Sequence, residues 1–226
     1  MNNIFDLHSK QYDAWYSRHE FAFLSEIEAI KKVLPPAGNG LEIGVGTGRF
    51  ASSLGIATGV DPSNEMLRIA KKRGVNTHLG FGETLPFPNK VFDYVAVIIT
   101  LCFVENPKEV VEEIHRVLKK NGKIIIGIVD RESFLGKFYQ HKESMFYKKA
   151  RFFSVTEVTE LLKESDFSPF SCYQTISILP NDMKSVEKSK KGFGKGGFVV
   201  IAAKKRALIK NGSSKKIGKI SSKNGN

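Results

Sequence analysis

The chain has 226 residues, 41% of them hydrophobic and 26% charged, and its 35 Lys+Arg against 23 Asp+Glu give a formal net charge of +12. That length buries an α/β core without staples, and two cysteines, Cys102 and Cys172, with no CxxC and no metal spacing among the histidines, exclude a disulfide scaffold or a zinc site and fit a reducing cytoplasm. The opening MNNIFDLHSK has neither a basic n-region nor an apolar core, and the longest apolar run, YVAVIITLCFV, is too short for a bilayer, so a soluble cytoplasmic chain is expected.

Taken in order, the N-terminal stretch carries aromatics at Tyr12, Trp15 and Tyr16. GLEIGV is a first short strand, GIATGVD a second that ends in an acid, FDYVAVII a long β-rich run and KIIIGIVD another. Runs that are apolar almost throughout suit parallel strands covered on both faces. Helices are expected over 48–53, over 63–73 and over PKEVVEEIHRVLKKNG, which puts Val110, Ile114, Val117 and Leu118 on one stripe and ends at a glycine. Strands alternating with helices predict a doubly wound α/β sheet with helices on both faces. The aromatic stretch ESFLGKFYQHKESMFYKKARFF and a helix at VTEVTELLKES follow. FSCYQTISIL and GGFVVIAAK, joined by a Lys/Gly-rich loop, then read as an antiparallel pair at one edge.

The positive charge is confined to the end. Residues 1–183 hold 22 Lys+Arg against 22 Asp+Glu, whereas residues 184–226 hold 13 against Glu187 alone. Residues 206–226 are Lys/Ser/Gly/Asn-rich without a period, so a mobile basic tail is predicted, either a solubilising extension or a weak, salt-sensitive contact to nucleic acid.

GLEIGVGTGRF sets three alternate glycines behind an acid, between a strand and a helix, where they let backbone amides approach a ligand. GTGRFA also satisfies the dinucleotide pattern, so the fingerprint alone leaves two ligand classes. A diphosphate would lie close to Glu42 and be repelled; S-adenosylmethionine presents a sulfonium and an ammonium instead, for which Glu42 is attractive. Asp61, ending the next strand, can accept hydrogen bonds from both ribose hydroxyls, and Met66 lies either near adenine or in the core.

These residues resemble the class I S-adenosylmethionine-dependent methyltransferases, within them the methyltransferase domain 11 group. The motifs are LEIGVGTGRF, GVDPSNEML, LGFGETLPFPNKVFDYV and EIHRVLKKNGKIIIGI, which follow in order between Leu41 and Ile128, within a resemblance that covers residues 6–205. The resemblance implies a Rossmann-like seven-stranded sheet of order 3-2-1-4-5-7-6 with strand 7 antiparallel. It implies a single domain over 1–205, comprising a helical lid at 1–34 and an acceptor-site insertion at 131–153, before the tail. Glu42, Gly44 and Gly46 would line the methionine end of S-adenosyl-L-methionine, Asp61 and Pro62 the ribose, and Met66, Phe81, Gly82 and Glu83 the adenine. Thr100 and Leu101 would complete the set after strand 4. Two departures stand out. Phe81 replaces the usual adenine-binding acid, and the usual KPGG turn reads KKNG, in which Asn121 can still turn left-handed.

Methyl transfer from a sulfonium is an in-line displacement that positioning and water exclusion can accelerate without a base, so no catalytic residue is assigned. A buried Cys102 reads as core rather than as a nucleophile. The lead-in bearing Tyr12, Trp15 and Tyr16, with Phe134, Phe138, Tyr139, Phe146 and Tyr147, could wall a pocket for a small organic acceptor, with cation–π help for an amine. The expected activity is methyl transfer to N, O or C of such an acceptor. The alternatives are a nicotinamide-dependent oxidoreductase, and a non-catalytic cofactor-binding or nucleic-acid-binding protein. An N/D-P-P-Y tetrad is absent, TLCF standing in its place, which makes nucleic acid an unlikely partner.

Overall fold

A computed structural model describes residues 4–206. Two N-terminal helices, α1 (Ile4–Arg18) and α2 (Glu20–Lys31), precede β1 (Gly40–Ile43), α3 (Arg49–Leu54), β2 (Thr58–Asp61), α4 (Asn64–Lys72) and β3 (Asn76–Leu79). Then come β4 (Phe92–Ile98), α5 (Pro107–Val117), β5 (Leu118–Val129), α6 (Phe134–His141), α7 (Val155–Glu164), β6 (Phe167–Thr175), β7 (Lys190–Lys191) and β8 (Phe198–Lys205). The sheet order is β3-β2-β1-β4-β5-β8-β6-β7, parallel from β3 to β5 and antiparallel through β8, β6 and β7.

This is the expected Rossmann-like order with one addition, the two-residue edge strand β7 within the Lys/Gly-rich loop. The expected basic tail at 206–226 lies, beyond Arg206, outside the described residues. Among those described, no helix is long and apolar enough to cross a membrane.

Alternation along the strands divides the core in two. Tyr94, Ala96 and Ile98 of β4 and Phe198, Val200 and Ala202 of β8 pack with Ala22, Ile27 and Ile30 of α2, Ala51 and Leu54 of α3, and Leu67 and Ala70 of α4. Val95 and Val97 of β4 and Val199, Ile201 and Ala203 of β8 face the other way, onto α5 and α7. Val110, Ile114, Val117 and Leu118 are all buried, as their stripe predicts. Helix α5, however, stops at Val117. The Asn106 side chain caps its start by accepting from the Lys108 and Glu109 amides, and Pro107 suits its first turn. At its end Leu118 is already extended and pairs with Phe92, and Asn121, at φ 62°, turns the chain left-handed into the paired part of β5.

Candidate functional site

The glycine loop between β1 and α3 is built by close approach. A Cβ on Gly44 would stand 2.2 Å from Thr100 Cγ2, and Gly44 has φ 66°. The Thr100 hydroxyl lies 3.2 Å from the Gly44 carbonyl, so the β4 exit is packed directly on the loop. Gly82 meets Ile43 and Val110 in the same manner, drawing the β3–β4 connection onto β1.

Two carboxyls sit at this loop. Glu42 is 1% exposed, and its Oε2 has no partner among the described residues. Burial, with Asp61 nearby, raises the Glu42 carboxyl well above its ordinary range. Asp61 accepts from the Gly46 and Ser63 amides, each at 2.9 Å and each on a different oxygen, so every oxygen keeps a second lone pair for a ligand. Burial raises its carboxyl to about 6, against the lowering effect of those two amides.

Helix α1 is tied down over the loop. The Ser63 hydroxyl donates to Asp6 at 2.5 Å, and the Asp13 carboxylate receives Thr47 Oγ1 at 2.6 Å and Arg49 and Arg73 at 2.9 Å. Burial alone would raise the Asp13 carboxyl, but the two guanidiniums and the Thr47 hydroxyl hold it well below the carboxylate range. Sequence reasoning passed over Asp13, although an acid in YDAWY opposite an arginine in GTGRF was the available signal.

Beside the loop lies a cavity of about 310 Å³. Tyr12, Trp15 and Tyr16 all line it, together with Tyr139, Phe146 and Tyr147 from the segment after β5. Phe134 and Phe138 of that set are instead exposed and absent from the lining, because α6 turns only its Leu135 and Tyr139 face inward. Tyr12 joins the two regions. Its ring carbon lies 4.0 Å from where a Gly46 Cβ would be, and its hydroxyl is 2.9 Å from that of Tyr16. Ile99 and Ile176, on the cavity wall, hold φ of 49° and 64°, a conformation that β-branched residues adopt only under constraint.

Of the other expected cofactor residues, Pro62 is exposed at the end of β2. Phe81 is 60% exposed, with its carbonyl bonded to the Thr84 amide, and Glu83 accepts from the Glu105 and Asn106 amides, bracing the loop before α5. Met66 and Leu101 are each 1% exposed and offer a ligand almost no side-chain surface. Cys102 is half-buried, and burial pushes its thiol up to about 12, which disfavours a thiolate. Glu26 is the residue that sequence reading missed altogether: it lines the cavity, is 2% exposed, and has an unpartnered Oε2. Its signal was its place on one helical stripe with Ala22, Phe23 and Ile30.

Residues 41–126, from β1 into β5, match the family model described as a methyltransferase domain. An S-adenosylmethionine-dependent methyltransferase from Thermotoga maritima, described as a possible histamine N-methyltransferase, superposes with a TM-score of 0.88 at 46% identity, covering 90% of this chain and 98% of that one. An uncharacterized protein of Methanocaldococcus jannaschii is 50% identical over 205 residues, 90% of this chain and 99% of its own. The demethylmenaquinone methyltransferase of Chlorobaculum parvum is 34% identical over 108 residues, 44% of this chain and 45% of its own.

Proposed function

This chain belongs to the class I S-adenosylmethionine-dependent methyltransferases, and from that premise we propose that it transfers a methyl group from S-adenosylmethionine to a small organic acceptor seated in the cavity beneath Tyr12. The observation that carries this reading is the unpartnered, buried Oε2 of Glu42 at the glycine loop, beside the buried carboxyl of Asp61. A cation brought to that place restores charge to Glu42 and satisfies its free oxygen. A nicotinamide dinucleotide would set a diphosphate against two carboxyls, which disfavours the oxidoreductase alternative.

S-adenosylmethionine, when bound, supplies an electrophilic methyl carbon on a sulfonium. The protein's share is placement. Asp61 offers one free lone pair on each oxygen to the ribose hydroxyls, and Glu42 faces the cationic methionine end. The Tyr12 ring stands between the loop and the cavity, where it can orient the acceptor toward the methyl. Helix α1, pinned through Asp6 and Asp13, covers the site and excludes water, so that holding two reactants at near-attack distance supplies much of the acceleration. Thr100 is engaged with backbone carbonyls and the Cys102 thiol stays protonated, so neither serves as a base.

Calorimetric titration with S-adenosylhomocysteine tests the reading. Wild type should bind it, and Glu42→Gln and Asp61→Asn should each weaken binding roughly tenfold or more, the loss of one charge-assisted contact. An absence of binding to the wild type, or unchanged affinity in both variants, sinks the assignment.

A further inference from the structure

Glu26 belongs to α2, yet its carboxyl is buried at the wall of the cavity with Oε2 unbonded. An acid desolvated without a partner destabilises the fold, and Gln or Leu would fit the same helix at lower cost. The surroundings are those of a cation site. The Tyr12, Tyr16, Tyr139 and Tyr147 phenols all lie close enough for Glu26 to act on them electrostatically, and Trp15 and Phe146 add π faces to the wall.

We propose that the cavity binds its acceptor through a small organic ammonium group, with the Glu26 carboxylate as counter-ion and the aromatic rings as walls; where that nitrogen is itself the methylated atom, its proton passes to the carboxylate before the freed lone pair attacks the methyl carbon. This rests on the methyltransferase reading and deepens it by naming the substrate class. A carboxylate-bearing acceptor would be desolvated with no buried cation to meet it, and a neutral aliphatic one would leave Oε2 unmet. Arg18, Lys142 and Glu143 also line the space but are exposed, and Lys142 rests over the Phe138 and Tyr139 rings at 5.6 and 5.8 Å. Solvent screens those groups, so the buried acid sets the sign of the interior.

A second consequence concerns protons. Burial raises the Glu26 carboxyl well above its ordinary range, so the empty cavity holds it protonated. An arriving ammonium favours the ionised form, and the proton leaves for solvent. The other groups facing Glu26 do not compete for it: burial raises all four phenols, and the Cys102 thiol is pushed up to about 12, so they stay protonated throughout.

The test uses the full chain saturated with S-adenosylhomocysteine, titrated at neutral pH with 2-phenylethylamine, with histamine, with the neutral isostere 2-phenylethanol and with 3-phenylpropanoate. Phosphate and Tris, which differ in ionisation enthalpy, report proton release. At least one amine should bind roughly tenfold or more tighter than the alcohol, the carboxylate should not bind, and about one proton should be released per amine. Glu26→Gln should abolish both the preference and the release while S-adenosylhomocysteine affinity holds. Should that variant fail to fold, the wild-type ligand series and proton count decide alone. Equal binding of amine and alcohol, no binding of either amine, no proton release, or a Gln variant that keeps the preference overturns the proposal. Failure to bind S-adenosylhomocysteine at all would instead strike the methyltransferase reading beneath it.

Discussion

Arg49 grips Asp13 with two parallel hydrogen bonds: Nε donates to Oδ1 and Nη2 to Oδ2, each at 2.9 Å, joining α1 to the first residue of the helix after the glycine loop. Fork-to-fork pairs of this kind fix orientation as well as distance. Arg73 and Thr47 complete the set around one carboxylate. Asp13→Asn leaves two part-buried guanidiniums facing a neutral amide and is expected to lower stability by about 1–3 kcal/mol in urea unfolding. It should also expose α1 to proteolysis and weaken S-adenosylhomocysteine binding. Because the carboxyl is held below its ordinary range, its contribution is present above the unfolded value near pH 4 and is lost as pH falls through the folded one. The gap between wild type and variant should therefore narrow in acid. A gap that persists unchanged there would show that charge is not what holds the lid.

Asp61 produces a pH effect of opposite sign. Its carboxyl is raised to about 6 by burial, so its contribution to folding stability is greatest below the unfolded value near pH 4 and declines as pH rises through about 6. In the role proposed for Asp61, cofactor affinity runs the other way, because the ionised form is the better acceptor for ribose hydroxyls. The dissociation constant for S-adenosylhomocysteine should climb as pH drops below about 6, by no more than about tenfold per unit for this single group. In Asp61→Asn that part of the slope should vanish. Calorimetry across the range decides it, and an equally steep slope in the variant places the titrating group elsewhere.

The Cys102 thiol should be inert in the folded protein. It is half-buried, burial pushes it up to about 12, and its sulfur lies 3.7 Å from the Ile99 carbonyl. Iodoacetamide at mildly alkaline pH should label it far more slowly than in the urea-unfolded chain, as read by mass spectrometry, and Cys102→Ala should retain methyl transfer. Rapid native labelling, or loss of transfer in the Ala variant without loss of folding, would reopen a nucleophilic role.

Sequence periodicity captured what apolar patterning can carry. β4, β5 and β8 are buried on both faces, and their uninterrupted apolar runs announce them. β3 escaped because its residues, NTHL, form the exposed edge of the sheet and obey no burial pattern. The end of α5 was overrun because Leu118 prolongs the Ile114 stripe by one helical step, and only the left-handed Asn121 and the pairing with Phe92 reveal the switch to strand. The glycine loop and its two acids were legible as a motif. Glu26 left only its place on the α2 stripe, since an acid in a helix ordinarily marks the solvated face, and burial of that position depends on α1, β6 and β8 packing around α2.

The contact of Gly44 with Thr100 lends itself to a double-mutant cycle. Gly44→Ala places a Cβ 2.2 Å from Thr100 Cγ2 and 2.4 Å from its Oγ1, at a φ of 66° that costs a non-glycine residue about 1–2 kcal/mol by itself. The single variant should unfold readily and lose cofactor binding. Thr100→Ala removes the methyl and hydroxyl that the new Cβ would strike, at the expense of a hydrogen bond worth about 1 kcal/mol. In the double variant the two closest contacts are gone, but the Cβ of residue 100 still stands 2.8 Å from the new Cβ and the backbone cost persists, so stability should recover only in part, by an interaction energy of about 1–3 kcal/mol. Simple additivity of the two losses in urea unfolding would mean that the β4 exit does not bear on the loop as the distances indicate. Partial recovery of S-adenosylhomocysteine binding alongside stability would tie the shape of the cofactor loop to this single point of contact.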